Sequence, residues 1–138
     1  MADHTDNRIE ELSAEECMRL LKLGSYVGRI GFILDGRPMI LPVNYLAEER
    51  SLVFASLDGT KLHALSGGAD VVFEVDEARP LYHAGWSVLV KGHAHEVTDE
   101  QDIELLRRGP LRSWAAMHDA HWIRISIDDI SGRRIPER

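Results

Sequence analysis

The sequence predicts a mainly β domain, an antiparallel barrel or sandwich with short peripheral helices. Three observations carry that reading. Runs rich in Val, Ile, Tyr and Phe recur at Tyr26–Leu34, Pro38–Leu46, Leu52–Ser56, Asp70–Val75, Trp86–Val97 and His121–Ile127. The connections between them are mostly short and carry turn residues, with Asp35-Gly36 the strongest hairpin signal. No strand–helix unit repeats, which argues against a doubly wound parallel sheet.

The elements follow in order. Met1–Glu10 reads as a loose, charged lead, leaving 11–138 as one domain. Ser13 and Glu16 form a capping box that opens a helix to Leu23, with Leu12 and Cys17 placed for a hydrophobic staple. Gly24 is expected to close that helix in a left-handed conformation. Ala47–Ser51 is a charged turn. Asp58-Gly59 marks another turn, Lys61–Leu65 reads as a short helix, and Gly67-Gly68 breaks the chain before the fourth strand. Glu77–Ala84, with Pro80, reads as an irregular loop, and Gly92 as a bend or bulge inside the long fifth strand. Thr98 and Gln101 suit a second capping box, opening a helix to about Arg108 that Gly109-Pro110 closes. Trp114–Ala120 is ambiguous. In the last strand Ile123, Ile125 and Ile127 share one face and Trp122, Arg124 and Ser126 the other.

Composition narrows the function classes. The chain has 138 residues, 16 basic against 23 acidic, and a net charge of −7. That balance argues against nonspecific binding to nucleic acid or to an anionic membrane. No apolar run approaches the roughly 20 residues that span a bilayer, and the polar N-terminus has no signal core. Cys17 is the single cysteine, so there is no intrachain disulfide framework, which suits a reducing cytoplasm. Lysine is scarce, with Lys22, Lys61 and Lys91 against 13 arginines.

The residues richest in chemistry lie between Arg37 and Leu65. Pro42, Val43, Asn44 and Tyr45 form a strand with little side-chain charge but with main-chain donors and acceptors. Pro42 cannot donate to a ladder, which implies an edge or irregular position open to a ligand. Asn44 offers both a donor and an acceptor. Gly59, Thr60 and Lys61 join turn amides, a hydroxyl and a point charge, a set able to hold a phosphate. An ordinary strand with a bulge, and a solvated turn with a helix cap, are the plainer readings of the same residues. No G-x-S-x-G elbow or G-x-G-x-x-G fingerprint is present, and no acid or base residue stands out as catalytic.

In these segments, and through Val72-Phe73-Glu74-Val75-Asp76, Gly85-Trp86-Ser87-Val88-Leu89-Val90-Lys91-Gly92 and Ile130-Ser131-Gly132-Arg133, the chain resembles the pyridoxamine-phosphate-oxidase-like, flavin-binding split-barrel family. Within it the match is to the nitroimidazole-reductase-like subgroup, and it covers Leu12 to Arg133. The resemblance implies a six-stranded antiparallel split β-barrel that binds FMN, acts as an oxidoreductase on a small-molecule substrate and forms a homodimer. It implies that the Pro42–Tyr45 backbone faces the flavin ring, that Thr60 and Lys61 hold the phosphate, and that Ser56, Trp86, Ser87 and Val88 approach the cofactor. One departure stands out. Many members carry an arginine near Ala55 that pairs with the phosphate, so here Arg29, Arg37 or an arginine of a partner chain would take that role. The missing charge also leaves room for a deazaflavin (coenzyme F420) or haem, and for a carrier in place of a catalyst. A separate alternative is a cupin-like metal site, since His93, His95 and Glu100 have the His-x-His-x4-Glu spacing.

Overall fold

A computed structural model describes residues 9–24, 27–56, 63–65, 67–111 and 120–136. The phosphate-loop expectation at Gly59, Thr60 and Lys61 and the ambiguous Trp114–Asp119 lie outside these residues.

Among the described residues the chain forms β1 (Glu10–Leu12), α1 (Ala14–Leu23), β2 (Val27–Leu34), β3 (Arg37–Ala47), β4 (Ser51–Ser56), β5 (Ala69–Arg79), β6 (Ala84–Glu96), α2 (Glu100–Arg107) and β7 (His121–Ile135). The strand order is β1-β7-β4-β3-β2-β5-β6, and β6 also pairs with β7. Six strands therefore close into an antiparallel barrel, as expected, and β1 is added outside the ring. β7 makes this possible. Its first half pairs with β4, from Ser51↔Ser126 to Ser56↔His121, and its last residues pair with β1, from Leu12↔Gly132 to Glu10↔Arg134.

Local chemistry explains each boundary. In α1 the Ser13 hydroxyl accepts the Glu16 amide at 3.1 Å, and the Glu16 carboxylate accepts the Ser13 amide at 3.1 Å. Ser13→Ala is expected to cost about 1 kcal/mol of unfolding free energy, measured by urea denaturation. Gly24 is extended and not left-handed, with φ −77° and ψ −167°. Glycine is needed there for space: a Cβ would stand 2.7 Å from the Leu20 carbonyl and 3.0 Å from the Trp86 ring. Asp35 and Gly36 both have positive φ, 52° and 76°, as a two-residue I′ hairpin requires.

The segment read as an irregular loop is a hairpin connection. β5 continues to Arg79, a single 3-10 turn covers Pro80–Tyr82, and β6 begins at Ala84. The bulge in β6 falls between Lys91 and Gly92, where a side chain on Gly92 would strike the Ser126 carbonyl. The second cap shifts by one residue, because Asp99, and not Thr98, accepts the Asp102 amide at 3.1 Å.

The barrel interior holds Ile30, Leu52, Phe54, Phe73, Val75, Val88, Val90, Ile123 and Ile125, all at most 2% exposed. Cys17 packs against it, and a Cβ on Gly132 would lie 2.7 Å from its Sγ. Burial pushes the Cys17 thiol up, away from the reactive thiolate. A second cluster joins Val53, Val97, Leu106, Leu111 and Trp122. The face of β7 that the alternation leaves to solvent is thus covered by α2, and Trp122 is buried.

Candidate functional site

Strand parity sorts the expected site residues into two groups. In β2, Gly28, Ile30 and Phe32 turn inward, so Val27, Arg29, Gly31 and Ile33 turn outward. The ladder register then places Asn44 opposite Val27, Pro42 opposite Arg29 and Ile40 opposite Gly31, on the same outer face. Ser87 stands outward in β6, opposite Asp76 on one side and Arg133 on the other. Pro42, Asn44 and Ser87 therefore share one outer surface.

Tyr45 and Val88 face the core. Val88 is fully buried. The Tyr45 hydroxyl donates to the Leu21 carbonyl at 2.8 Å, and burial pushes its pKa up to about 12. Any ligand contact from either residue would come through its backbone. Trp86 also points inward, with its ring against Gly24. Val43 is half-buried against the core, and Ser56 ends β4 opposite His121.

One backbone feature distinguishes β3. It pairs with β2 along Arg37–Asn44 but with β4 only at Tyr45, Leu46 and Ala47. Among the described residues the other edge of Arg37–Asn44 has no ladder partner. Ala55 packs into the cluster beneath α2, opposite Trp122. Arg29 does not replace the missing phosphate arginine freely, because its Nη1 lies 3.1 Å from Glu74 Oε1 and 3.5 Å from Asp76 Oδ1. Arg37 sits at the hairpin end opposite Leu34.

Clefts flank this surface. One, of about 600 Å3, is lined by Trp86, Ser87, Asp76, His83 and Arg133. Another, of about 640 Å3, lies where β2 and β5 part, between Ile33, Pro38, Ile40, Val72 and Lys91. β2 pairs with β5 only from Arg29 to Gly31, and the gap beyond opens the barrel wall.

The sequence reading missed the Arg29–Glu74–Asp76 set. Its signal was present, since Glu74 and Asp76 are two apart in a strand and share a face. Burial first, then the hydrogen bond and charge of Asp76, push Glu74 up to about 7, against the pull of Arg29.

The cupin-like metal set does not form. His93 Nδ1 lies 3.2 Å from Asp70, His121 Nδ1 lies 2.8 Å from Glu96, and Glu100 has turned onto α2. Among the described residues no three His, Cys, Asp or Glu side chains gather at metal-binding distance.

Among the described residues, a closed six-stranded antiparallel ring in which β3 leaves β4 after three paired residues has the form of a split barrel. Residues 13–134 match the family described as pyridoxamine 5'-phosphate oxidase, and the chain belongs to that family. The uncharacterised protein Rv0080 of Mycobacterium tuberculosis is 31% identical over 132 residues, which cover 92% of this chain and 86% of that protein. The solved FAD binding protein from Mycobacterium smegmatis is 36% identical with a TM-score of 0.77, covering 92% of this chain and all (100%) of that one. An FAD-binding protein from Mesorhizobium loti is 26% identical with a TM-score of 0.80, covering 93% and 99%.

Proposed function

We propose that this protein binds a flavin nucleotide on the outer face beside Pro42–Asn44 and works as an oxidoreductase. The edge of β3 along Arg37–Asn44, which has no ladder partner among the described residues, carries the reading. A flavin ring has donors and acceptors along its pyrimidine edge, and main-chain groups at Pro42–Asn44 would complement them. Asn44 adds an amide side chain, and Ser87 a hydroxyl on the same surface. When bound, the flavin supplies hydride and electron transfer between a reduced nicotinamide or other donor and a small organic acceptor. The chain's own part is to orient the ring and, through Thr60 and Lys61, to hold a phosphate.

FMN is the first reading, since Thr60 and Lys61 together can hold its phosphate. FAD is the second reading, favoured by the two similar structures described as FAD-binding. Acid extraction of the purified protein, followed by chromatography against both standards, separates them. A protein that is colourless and takes up neither added FMN nor FAD would refute the proposal, and a Soret band would replace flavin with haem. Lys61→Ala is expected to weaken flavin binding about 10- to 100-fold, the loss of one charge-assisted contact. Fluorescence titration reads it, and an unchanged affinity removes Lys61 from the phosphate site.

The functional unit in this proposal is a homodimer working in the cytoplasm. Val27, Ile33, Ile40, Val72 and Leu89 are exposed on the outer face of β2, β3, β5 and β6, with Ile40 70% exposed. A second copy would cover this apolar surface and shield the cofactor beside it. No described helix is long and apolar enough to cross a membrane.

A further inference from the structure

The exposed apolar face has a charged centre. Arg29 stands between Pro42 and Glu74 in the ladder, and Glu74 stands opposite Leu89. Ile40 and Val72 lie in the row beyond, and Val27 in the row before. Exposed apolar side chains thus surround one guanidinium and two carboxylates. With both acids ionised the set carries a charge of −1. One bound proton makes it neutral.

We propose that protonation of Glu74, beside Asp76 and Arg29, controls the pairing of two chains across this face, with acid strengthening the association. The inference rests on the dimer reading above and adds its regulation. The set suits a second copy of the same chain. An isologous pairing with its two-fold axis at this point turns Arg29 of each chain toward the carboxylates of the other. Such a pairing holds two guanidiniums and four carboxylates, so it is balanced only when each chain contributes a proton.

The surroundings of Glu74 support this. Arg29 faces it from β2 and Asp76 from its own strand, while β6 presents Leu89 and Ser87 and β3 presents Pro42. Lys91 lies one row away, opposite Val72. Among the described residues no other titratable group faces Glu74. Its proton already binds near neutrality in the single chain. Covering the site removes water and brings close a second set whose two carboxylates outweigh its guanidinium, and both effects favour the protonated form. The dimer then holds more protons than two separate chains, up to two more. By linkage its association constant falls as pH rises through about 7 and above.

Sedimentation equilibrium of the full chain at pH 6 and pH 8, at one ionic strength, tests this. The dissociation constant is expected to be at least tenfold weaker at pH 8. Glu74→Gln keeps the shape and is always neutral, so its dimer should match the pH 6 wild type at both pH values. Asp76→Asn removes the acid that raises Glu74, and should move the wild-type transition to lower pH. A wild-type dimer with a flat profile, or a Glu74→Gln dimer that keeps the tenfold change, overturns this inference and leaves the dimer reading standing. A chain that is monomeric at every pH overturns both. Flavin absorbance of the same samples shows whether any change follows loss of cofactor.

Discussion

Phe73→Ala is expected to lower the free energy of unfolding by about 3–5 kcal/mol, the usual range for a buried aromatic truncated in a packed core. The high end is expected here because the site cannot collapse. Phe73 is fully buried, and the neighbour facing its ring is Gly28, where any side chain would strike that ring. Glycine has nothing to move into the space that alanine leaves. The loss also reaches the candidate site. Phe73 meets the Tyr45 ring edge-on, with centroids 5.3 Å apart and planes at 73°. Tyr45 in turn ties β3 to α1 through the Leu21 carbonyl. The strand that presents Pro42 and Asn44 is thus held from behind by Phe73. Urea unfolding followed by circular dichroism gives the stability loss, and flavin titration of the folded variant is expected to show weaker binding. Phe73→Leu refills most of the volume and should cost distinctly less on both readouts. If alanine costs under about 1.5 kcal/mol, the barrel interior is not close-packed around this ring.

Arg124→Ala is expected to cost about 2–4 kcal/mol, from the loss of a largely buried ionic hub. The side chain is 20% exposed and bonds Glu48 at 2.9 and 3.1 Å and Asp102 at 2.6 and 3.2 Å. It joins the β3–β4 turn, β7 and α2, and truncation leaves two carboxylates facing each other. The pH dependence follows from the direction of the shifts. Arg124 holds both Glu48 and Asp102 below the ordinary carboxylate range. Groups with a depressed pKa in the fold contribute stability above their unfolded values, and that contribution is lost as pH falls through the folded ones. Wild type and Arg124→Ala should therefore differ most near pH 7, begin to converge as pH falls past the unfolded carboxylate values of 4.5 and 3.8, and meet only below the lower folded values. A gap that stays constant with pH would mean that Arg124 acts through packing alone.

The features legible in the sequence are those with local causes. Asp35-Gly36 announces its turn because few residues accept two positive φ angles in succession. Ser13 and Glu16 announce α1 because a capping box is complete within four residues. Gly92 signals the bulge because a strand interior rarely tolerates glycine without reason. The rest depends on partners distant in the chain. Glu10–Leu12 has no strand signature, and β7 supplies the edge that makes it one. β7 itself runs to Ile135, well past the alternating stretch, because β6 pairs with it through Asp129, Ser131 and Arg133. Trp122 looks solvent-facing in the pattern and is buried because α2 folds back over it.

The site follows the same division. Pro42 indicates an open edge from its own chemistry. Alternation separates Asn44 from Tyr45, and Ser87 from Val88, onto opposite faces. Which of those faces lines the core is decided by the closed ring, and so Tyr45 and Val88 could be grouped with their outward neighbours. Glu74 and Asp76 were visible as a same-face pair, but only the neighbouring Arg29 of β2 makes them a cluster.

The placement of β7 has a consequence for how the protein is made. The barrel closes only once β7 has been synthesised, because among the described residues β7 is the strand that bridges β4 and β6. A nascent chain that ends before His121 carries an open sheet, with β4 and β6 each showing an unpaired edge to the cell. Closure must then wait for β7 to leave the ribosome, and its pairings reach back as far as β1, which slows that step. During that interval the two edges are open to strand pairing with neighbouring chains. Stalled or prematurely terminated products of this message are therefore expected to be found with chaperones or in aggregates, and not as a smaller folded domain.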